Sequence, residues 1–290
     1  MAKNKKNIKP EVKKSVVKDI TEPSGPKSPE ELRRRNLALA SLGIVLLLFA
    51  FIWIEPGTKD LEDPWYTGIR LVDSSRKVAD EAQKVKLLEE GGTLLKSLAA
   101  KHPYHARVHH YLGIYYAFKR EWDSAIAEQT KAIDIGSGGL VNNVEFDAHR
   151  ELLGALFNKG NGFSEKNQLD SAITYYSIAV EKSTKVRTTN KTAELIGMVN
   201  NNLSIAYMQK GNELLNNGSL DSALEQYEKS VAVNPRRADA LNNIGTIYSK
   251  KGDQAKAMEY FSKALSVDPE NKNAADNMKA IQSKAVNRKE

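Results

Sequence analysis

The segment WDSAI at residues 122–126 returns as LDSAI at 169–173 and as LDSAL at 220–224. This echo constrains the fold more than any other feature of the chain. A chain that rewrites one segment builds one structural unit several times, and each unit buries its apolar face against the next. With a fourth copy, the alanines of the segment stand at 125, 172, 223 and 257, separated by 47, 51 and 34 residues. The unit is therefore repeated with insertions.

The last copy is the most regular. Residues 238–271, ADALNNIGTIYSKKGDQAKAMEYFSKALSVDPEN, read as two helices with a turn near Gly252–Asp253. Leu241, Ile244, Gly245 and Tyr248 share one face of the first helix at three- and four-residue spacing, and Ala257, Phe261, Ala264 and Leu265 share one face of the second. Pro269 stops the second helix. Small side chains at 245 and 257 let the paired helices approach closely, and Ala264 leaves room for the next helix. This 34-residue pattern resembles the tetratricopeptide repeat (TPR). The resemblance implies an all-α fold, a TPR α-solenoid in which helix pairs stack into a right-handed superhelix.

Upstream copies follow on Gly113, Ala125 and Ala132; on Gly154, Ala172 and Ala179; and on Leu203–Ser204 and Ala223. The expected units are 104–137, 147–184, 196–237 and 238–271, within a repeat region 104–271. In the third unit the additional residues near 212–218 amount to about two helical turns and predict a lengthened helix. In the second, Gly160 and Gly162 predict a protruding loop. Asp123, Asp170 and Asp221, or the turns before them, are expected to cap the second helices. Residues 65–103 read as a degenerate repeat or a packing helix, and 272–286 as a terminal capping helix.

Ahead of the repeats, Leu37–Ile54 is an uncharged apolar run of 18 residues, long enough to cross the hydrocarbon core of a bilayer. It predicts one transmembrane helix over 29–54, followed by a linker at 55–64. Arg33, Arg34 and Arg35 precede the run, and Glu55, Asp60, Glu62 and Asp63 follow it against Lys59 alone. By the positive-inside rule the N-terminus stays in the cytoplasm and the body crosses. Residues 1–28 are expected to be a disordered basic tail, read either as solvated or as attracted to anionic lipid.

The formal charge is +7, of which residues 1–35 carry +6. The body is near neutral, which removes the electrostatic basis for nucleic-acid binding. There is no cysteine, which excludes thiol catalysis and cysteine–zinc sites. No phosphate-binding loop, dinucleotide fingerprint or hydrolase motif occurs. The chain is read as non-enzymatic and without a cofactor. Within HPYHARVHH, His105 and His109 lie one helical turn apart and form a weak candidate metal pair; the default reading of the cluster is the polar face of a helix.

Asn201, Asn202, Asn242, Asn243 and Asn277 fall just before the core leucine, isoleucine or methionine of successive first helices. The resemblance implies that this face lines a concave groove, where an asparagine can donate to and accept from an extended peptide backbone. The expected partners are other proteins or peptide segments, with the bilayer contacted through residues 37–54. The layout is similar to that of membrane-anchored TPR proteins of the bacterial envelope, with a periplasmic body. A mitochondrial outer-membrane receptor with a cytosolic body is the alternative.

Overall fold

The computed structural model of the chain describes residues 64–136 and 142–286, which fall within one compact unit. The predicted span, the arginines at 33–35 and the basic tail lie outside the described residues. Among the described residues no helix is long and apolar enough to cross a membrane. These residues form eleven helices and no strand.

The helices pair in chain order. The pairs are α1 (Pro64–Ser75) with α2 (Glu81–Lys101), α3 (Ala106–Phe118) with α4 (Trp122–Gly136), and α5 (Asn142–Glu165) with α6 (Leu169–Ser183). They continue with α7 (Asn190–Asn216) and α8 (Leu220–Val233), and α9 (Ala238–Lys250) and α10 (Gln254–Val267). α11 (Lys272–Val286) closes the stack, with Ala274 beside Leu241 and Ala264, and Ile281 against Ala257 and Phe261.

One spacing governs every pair from α3 to α10. A first-helix glycine stands where an added Cβ would strike a second-helix side chain sixteen residues on: Gly113 against Gln129 at 2.5 Å, Gly160 against Tyr176 at 2.5 Å, Gly211 against Tyr227 at 2.6 Å and Gly245 against Phe261 at 2.7 Å. Seven residues after each glycine the backbone turns left-handed, at Arg120, Asn167, Gly218 and Gly252. Twelve residues after it comes the alanine of the echo, and Ala125, Ala172, Ala223 and Ala257 are all fully buried. Nineteen after it come Ala132, Ala179, Ser230 and Ala264, buried likewise. In α1–α2 the last of these places belongs to Gly91, whose Cβ would meet Val72 and Leu71.

This geometry corrects the sequence reading at three points. In the second unit the close approach is made by Gly160; a Cβ on Gly154 would meet nothing within 4 Å. The glycines at 160 and 162 form no loop, because α5 runs unbroken from Asn142 to Glu165. The inserted residues instead lengthen the first helices at their N-terminal ends, to 24 residues in α5 and 27 in α7 against 13 in α3 and α9. The additional turns of α7 bury Val199 and Leu203 in the core of α5 and α6, while its C-terminal half packs Met208, Leu214 and Leu215 with α8. A helix can grow by whole turns without losing its buried face, so the stack tolerates the insertion.

The third correction concerns the aspartates of the echo. They sit inside the first turn of α4, α6 and α8, and each pairs with a lysine in or directly after the next first helix: Asp123 with Lys159, Asp170 with Lys210 at 2.9 Å, and Asp221 with Lys251, the C-cap of α9. The negative charge suits the helix N-terminus and the lysine joins neighbouring pairs. In the last pair Asp253 does cap, accepting from the Lys256 N–H at 3.0 Å.

Two substitutions test this register. Gly211→Val drives a branched side chain into the Tyr227 ring and is expected to cost about 1–3 kcal/mol. Gly154→Ala, in open space within a helix, is expected to gain about 0.5–1 kcal/mol. Urea denaturation of the two variants checks both signs; the reverse order would return the close approach to Gly154.

Candidate functional site

The predicted asparagines are brought together as a ladder across successive first helices. Asn161, directly after Gly160, accepts at Oδ1 from the Tyr176 hydroxyl at 2.6 Å and from the Asn202 amide at 3.0 Å. One pair further on, Asn212 after Gly211 accepts from the Tyr227 hydroxyl at 2.6 Å and from the Asn243 amide at 3.0 Å. The recurrence follows from the glycine register. The glycine seats the aromatic ring, the ring carries its hydroxyl past the helix, and the next residue is placed to receive it.

Each rung continues outward. The Asn201 amide donates to Asn202 Oδ1 at 3.4 Å, and Asn201 Oδ1 accepts from the Arg237 guanidinium at 2.6 Å. Arg237 also donates through Nε to Ser204 Oγ, within a buried pair in which Ser230 Oγ donates to the Ser204 carbonyl at 2.7 Å. On the second rung the Asn242 amide donates to Asn243 Oδ1 at 3.2 Å, and the Asn277 amide donates to Asn242 Oδ1 at 2.9 Å and to Thr246 Oγ1 at 3.4 Å.

The five predicted residues thus fall in two hydrogen-bonded sets and stand in different conditions. Asn201 is exposed, Asn202, Asn243 and Asn277 are half-buried, and Asn242 is buried. Asn202 and Asn243 are struts between helix pairs. Among the described residues, the side-chain nitrogens of Asn161 and Asn212 and the Asn277 side-chain oxygen have no protein partner. Asn161 and Asn212 are not marked by a Leu-Gly pair; their signal in the sequence is the doublet Gly-Asn at 160–161 and 211–212.

The histidines depart from expectation. Rather than lining a polar helix face, His109 and His110 are buried. His105 caps α3, its Nδ1 accepting from the Val108 N–H at 3.4 Å. The His109 ring nitrogens face Glu128 Oε2 at 2.5 Å and the Pro103 carbonyl at 2.9 Å. Burial pushes the Glu128 carboxyl up, but hydrogen bonds from His109 and Lys131 outweigh it and leave the group below the ordinary value. An open cavity of about 350 Å³ adjoins this pair, between Lys96, Tyr116 and Lys131. Among the described residues no cluster of three or more histidine or carboxylate side chains is placed to hold a metal.

A stack of helix pairs with a left-handed turn in each pair from α3 to α10, and a small residue against a large one at sixteen-residue spacing, defines a TPR-type scaffold. Residues 238–271 match the family described as tetratricopeptide repeat, and residues 211–252 match one described as TPR repeat. The chain carries tetratricopeptide repeats. It is similar to the photosystem I assembly protein Ycf3 of Prochlorococcus marinus (strain NATL1A), at 29% identity over 126 residues, 43% of this chain and 65% of that protein. It is also similar to Ycf3 of Rippkaea orientalis, at 50% identity over 40 residues, 14% of this chain and 23% of that one. The chain spans less than two thirds of the length of the curated relatives it matches. Among solved structures, the TPR protein YrrB aligns with 77% of this chain and 97% of its own at 24% identity and a TM-score of 0.33, a likeness too loose to bear on function.

Burial pushes the Tyr227 hydroxyl up to about 12, against the lowering hydrogen bond from Asn243. An unfolded tyrosine titrates near pH ~10. The stability held by this phenol is therefore complete below about pH 10 and is lost as pH rises through about 12. Tyr227→Phe, which lacks the bond to Asn212, is expected to be about 1 kcal/mol less stable at neutral pH. That gap should narrow as the medium becomes strongly alkaline. Denaturant titrations at several pH values check it, and a gap that widens with pH would contradict the assignment.

Proposed function

We propose that this chain is a non-enzymatic scaffold that holds an extended segment of another protein along the asparagine face of α5, α7, α9 and α11, and is tethered to a membrane by Leu37–Ile54. The observation that carries the reading is the ladder itself. It aligns amides across successive helices and leaves donors at Asn161 and Asn212 and an acceptor at Asn277 without partners among the described residues. A peptide backbone offers both complements at every residue, so an amide face suits a main chain better than a charged tail.

The curated relatives are named as assembly proteins. Holding one component while others join is the form of scaffold we favour for this chain, with its target left unassigned. The tether rests on the apolar run, and the flanking charges favour a body outside the cytoplasm. A bacterial inner membrane with a periplasmic body suits this arrangement. Since Asn202 and Asn243 also brace the stack, their removal would weaken the scaffold as well as any contact.

A photo-crosslinking residue at exposed Asn201 in native membranes is expected to trap a partner, whereas the same residue at Glu225 or Glu259, exposed on α8 and α10, should not. Equal adducts from both sets of positions would sink the assignment of the face. The tether is checked separately: Leu46→Arg with Leu47→Arg should release the chain from membranes washed with alkaline carbonate, and protease added to spheroplasts should cut the wild-type body.

A further inference from the structure

All five histidines of the chain lie between residues 102 and 149, and four of them are on or beside α3. His105 meets its surroundings as an acceptor, and His110 is buried. The His105 Nδ1 is the cap of α3 and accepts the Val108 N–H, a task that needs a lone pair. A protonated ring there would turn an N–H toward the positive end of the helix. His110, 5% exposed, places Nδ1 3.0 Å from Gln129 Oε1, while the Gln129 amide donates to the His110 carbonyl at 2.9 Å. Gln129 occupies the place held by Tyr176, Tyr227 and Phe261 in the other pairs. The α3–α4 pair has thus exchanged an apolar contact for a buried pair of polar side chains containing a titratable ring.

We propose that α3 is an acid-sensitive joint: protonation of His105 and His110 loosens it from α2, α4 and α5, while the pairs from α7 onward, which contain no histidine, stay closed. The charged groups around His110 are Glu151, Asp147 and Arg150 of α5. His105 faces Arg107, His102 and His109. Burial is the first cause that holds both rings below the ordinary histidine value, and the hydrogen bond to Gln129 and the acidic neighbours only partly offset it at His110.

The direction follows. A ring held low in the folded chain binds its proton more readily when unfolded. The stability it contributes is complete above about pH 6.5 and is lost as pH falls below that value. His109 stands between Glu128 and the Pro103 carbonyl. The consequence is local because α3 supplies Val108, Leu112, Ile114 and Tyr115 to the core shared with α1 and α2. A loosened α3 exposes the first three helices together.

Hydrogen exchange of the full-length chain in lipid nanodiscs at about pH 7.5 and about pH 5, corrected for intrinsic rates, tests the proposal. Amides of α3 are expected to lose tenfold or more of their protection at the lower pH, and those of α9 less than threefold. His105→Asn keeps a capping acceptor and His110→Gln keeps a neutral polar side chain. The double variant should fold, with a loss of α3 protection at the lower pH well below that of wild type. Equal protection of wild-type α3 at both pH values would overturn the inference. So would an undiminished pH response in the double variant.

Discussion

The stack rests on close approach between paired helices. In each pair from α3 to α10 a glycine faces a large side chain sixteen residues on, at a separation that excludes even a methyl group. A fully buried aromatic side chain contributes about 1.5–3 kcal/mol through burial, but Tyr176, Tyr227 and Phe261 achieve it only because the opposite helix yields its side chain at that point. The small residues twelve and nineteen positions after the glycine do the same from the other side. The pair is thus defined by where side chains are missing as much as by where they are large.

The polar ladder depends on the same packing. Tyr176 and Tyr227 run across the glycine and emerge where Asn161 and Asn212 stand, so each apolar contact ends in a hydrogen bond. Asn202 and Asn243 then carry that bond to the next pair. The ion pairs from Asp123, Asp170 and Asp221 to a lysine in or directly after the next first helix join neighbouring pairs as well. These exposed aspartates are worth little singly, whereas the tyrosine–asparagine contacts within each pair are partly shielded, and Asn202 and Asn243 brace the spacing between pairs. Where the aromatic is absent, at Gln129, no such rung exists, and the polar group is instead turned inward to His110.

Much of this was legible, and the errors have a common cause. The echo marked the second helices correctly because Ala125, Ala172 and Ala223 must all be small. The first helices misled because α5 and α7 each carry two plausible starting points. Leu153–Gly154 and Leu203–Ser204 imitate Leu112–Gly113, yet the glycines that touch an aromatic are Gly160 and Gly211. In α7 periodicity cannot separate the two, since the seven residues from Ser204 to Gly211 are about two turns and return to nearly the same face; in α5 the six residues from Gly154 to Gly160 do turn to another face, and the Leu-Gly doublet alone misleads. The left-handed residue seven positions after the true glycine does separate them, but Arg120 and Asn167 do not announce that conformation as Gly218 and Gly252 do. The asparagines were found as a face; their use as struts was hidden, because Asn161 and Asn212 had not been placed beside them.

Lengthening α5 and α7 also changes what the face can do. In a stack of uniform pairs each first helix meets its predecessor and its own partner over the same turns. In α7 the two tasks are divided: Val199 and Leu203 belong to the core of α5 and α6, and Leu214 and Leu215 to that of α8. Asn201 and Asn202 lie on the first stretch and Asn212 near the second, so one helix carries parts of both rungs. A segment held there would be read by amides from successive pairs fixed in a single rigid rod. The insertion that obscured the repeat in the sequence is therefore what couples the rungs of the proposed binding face.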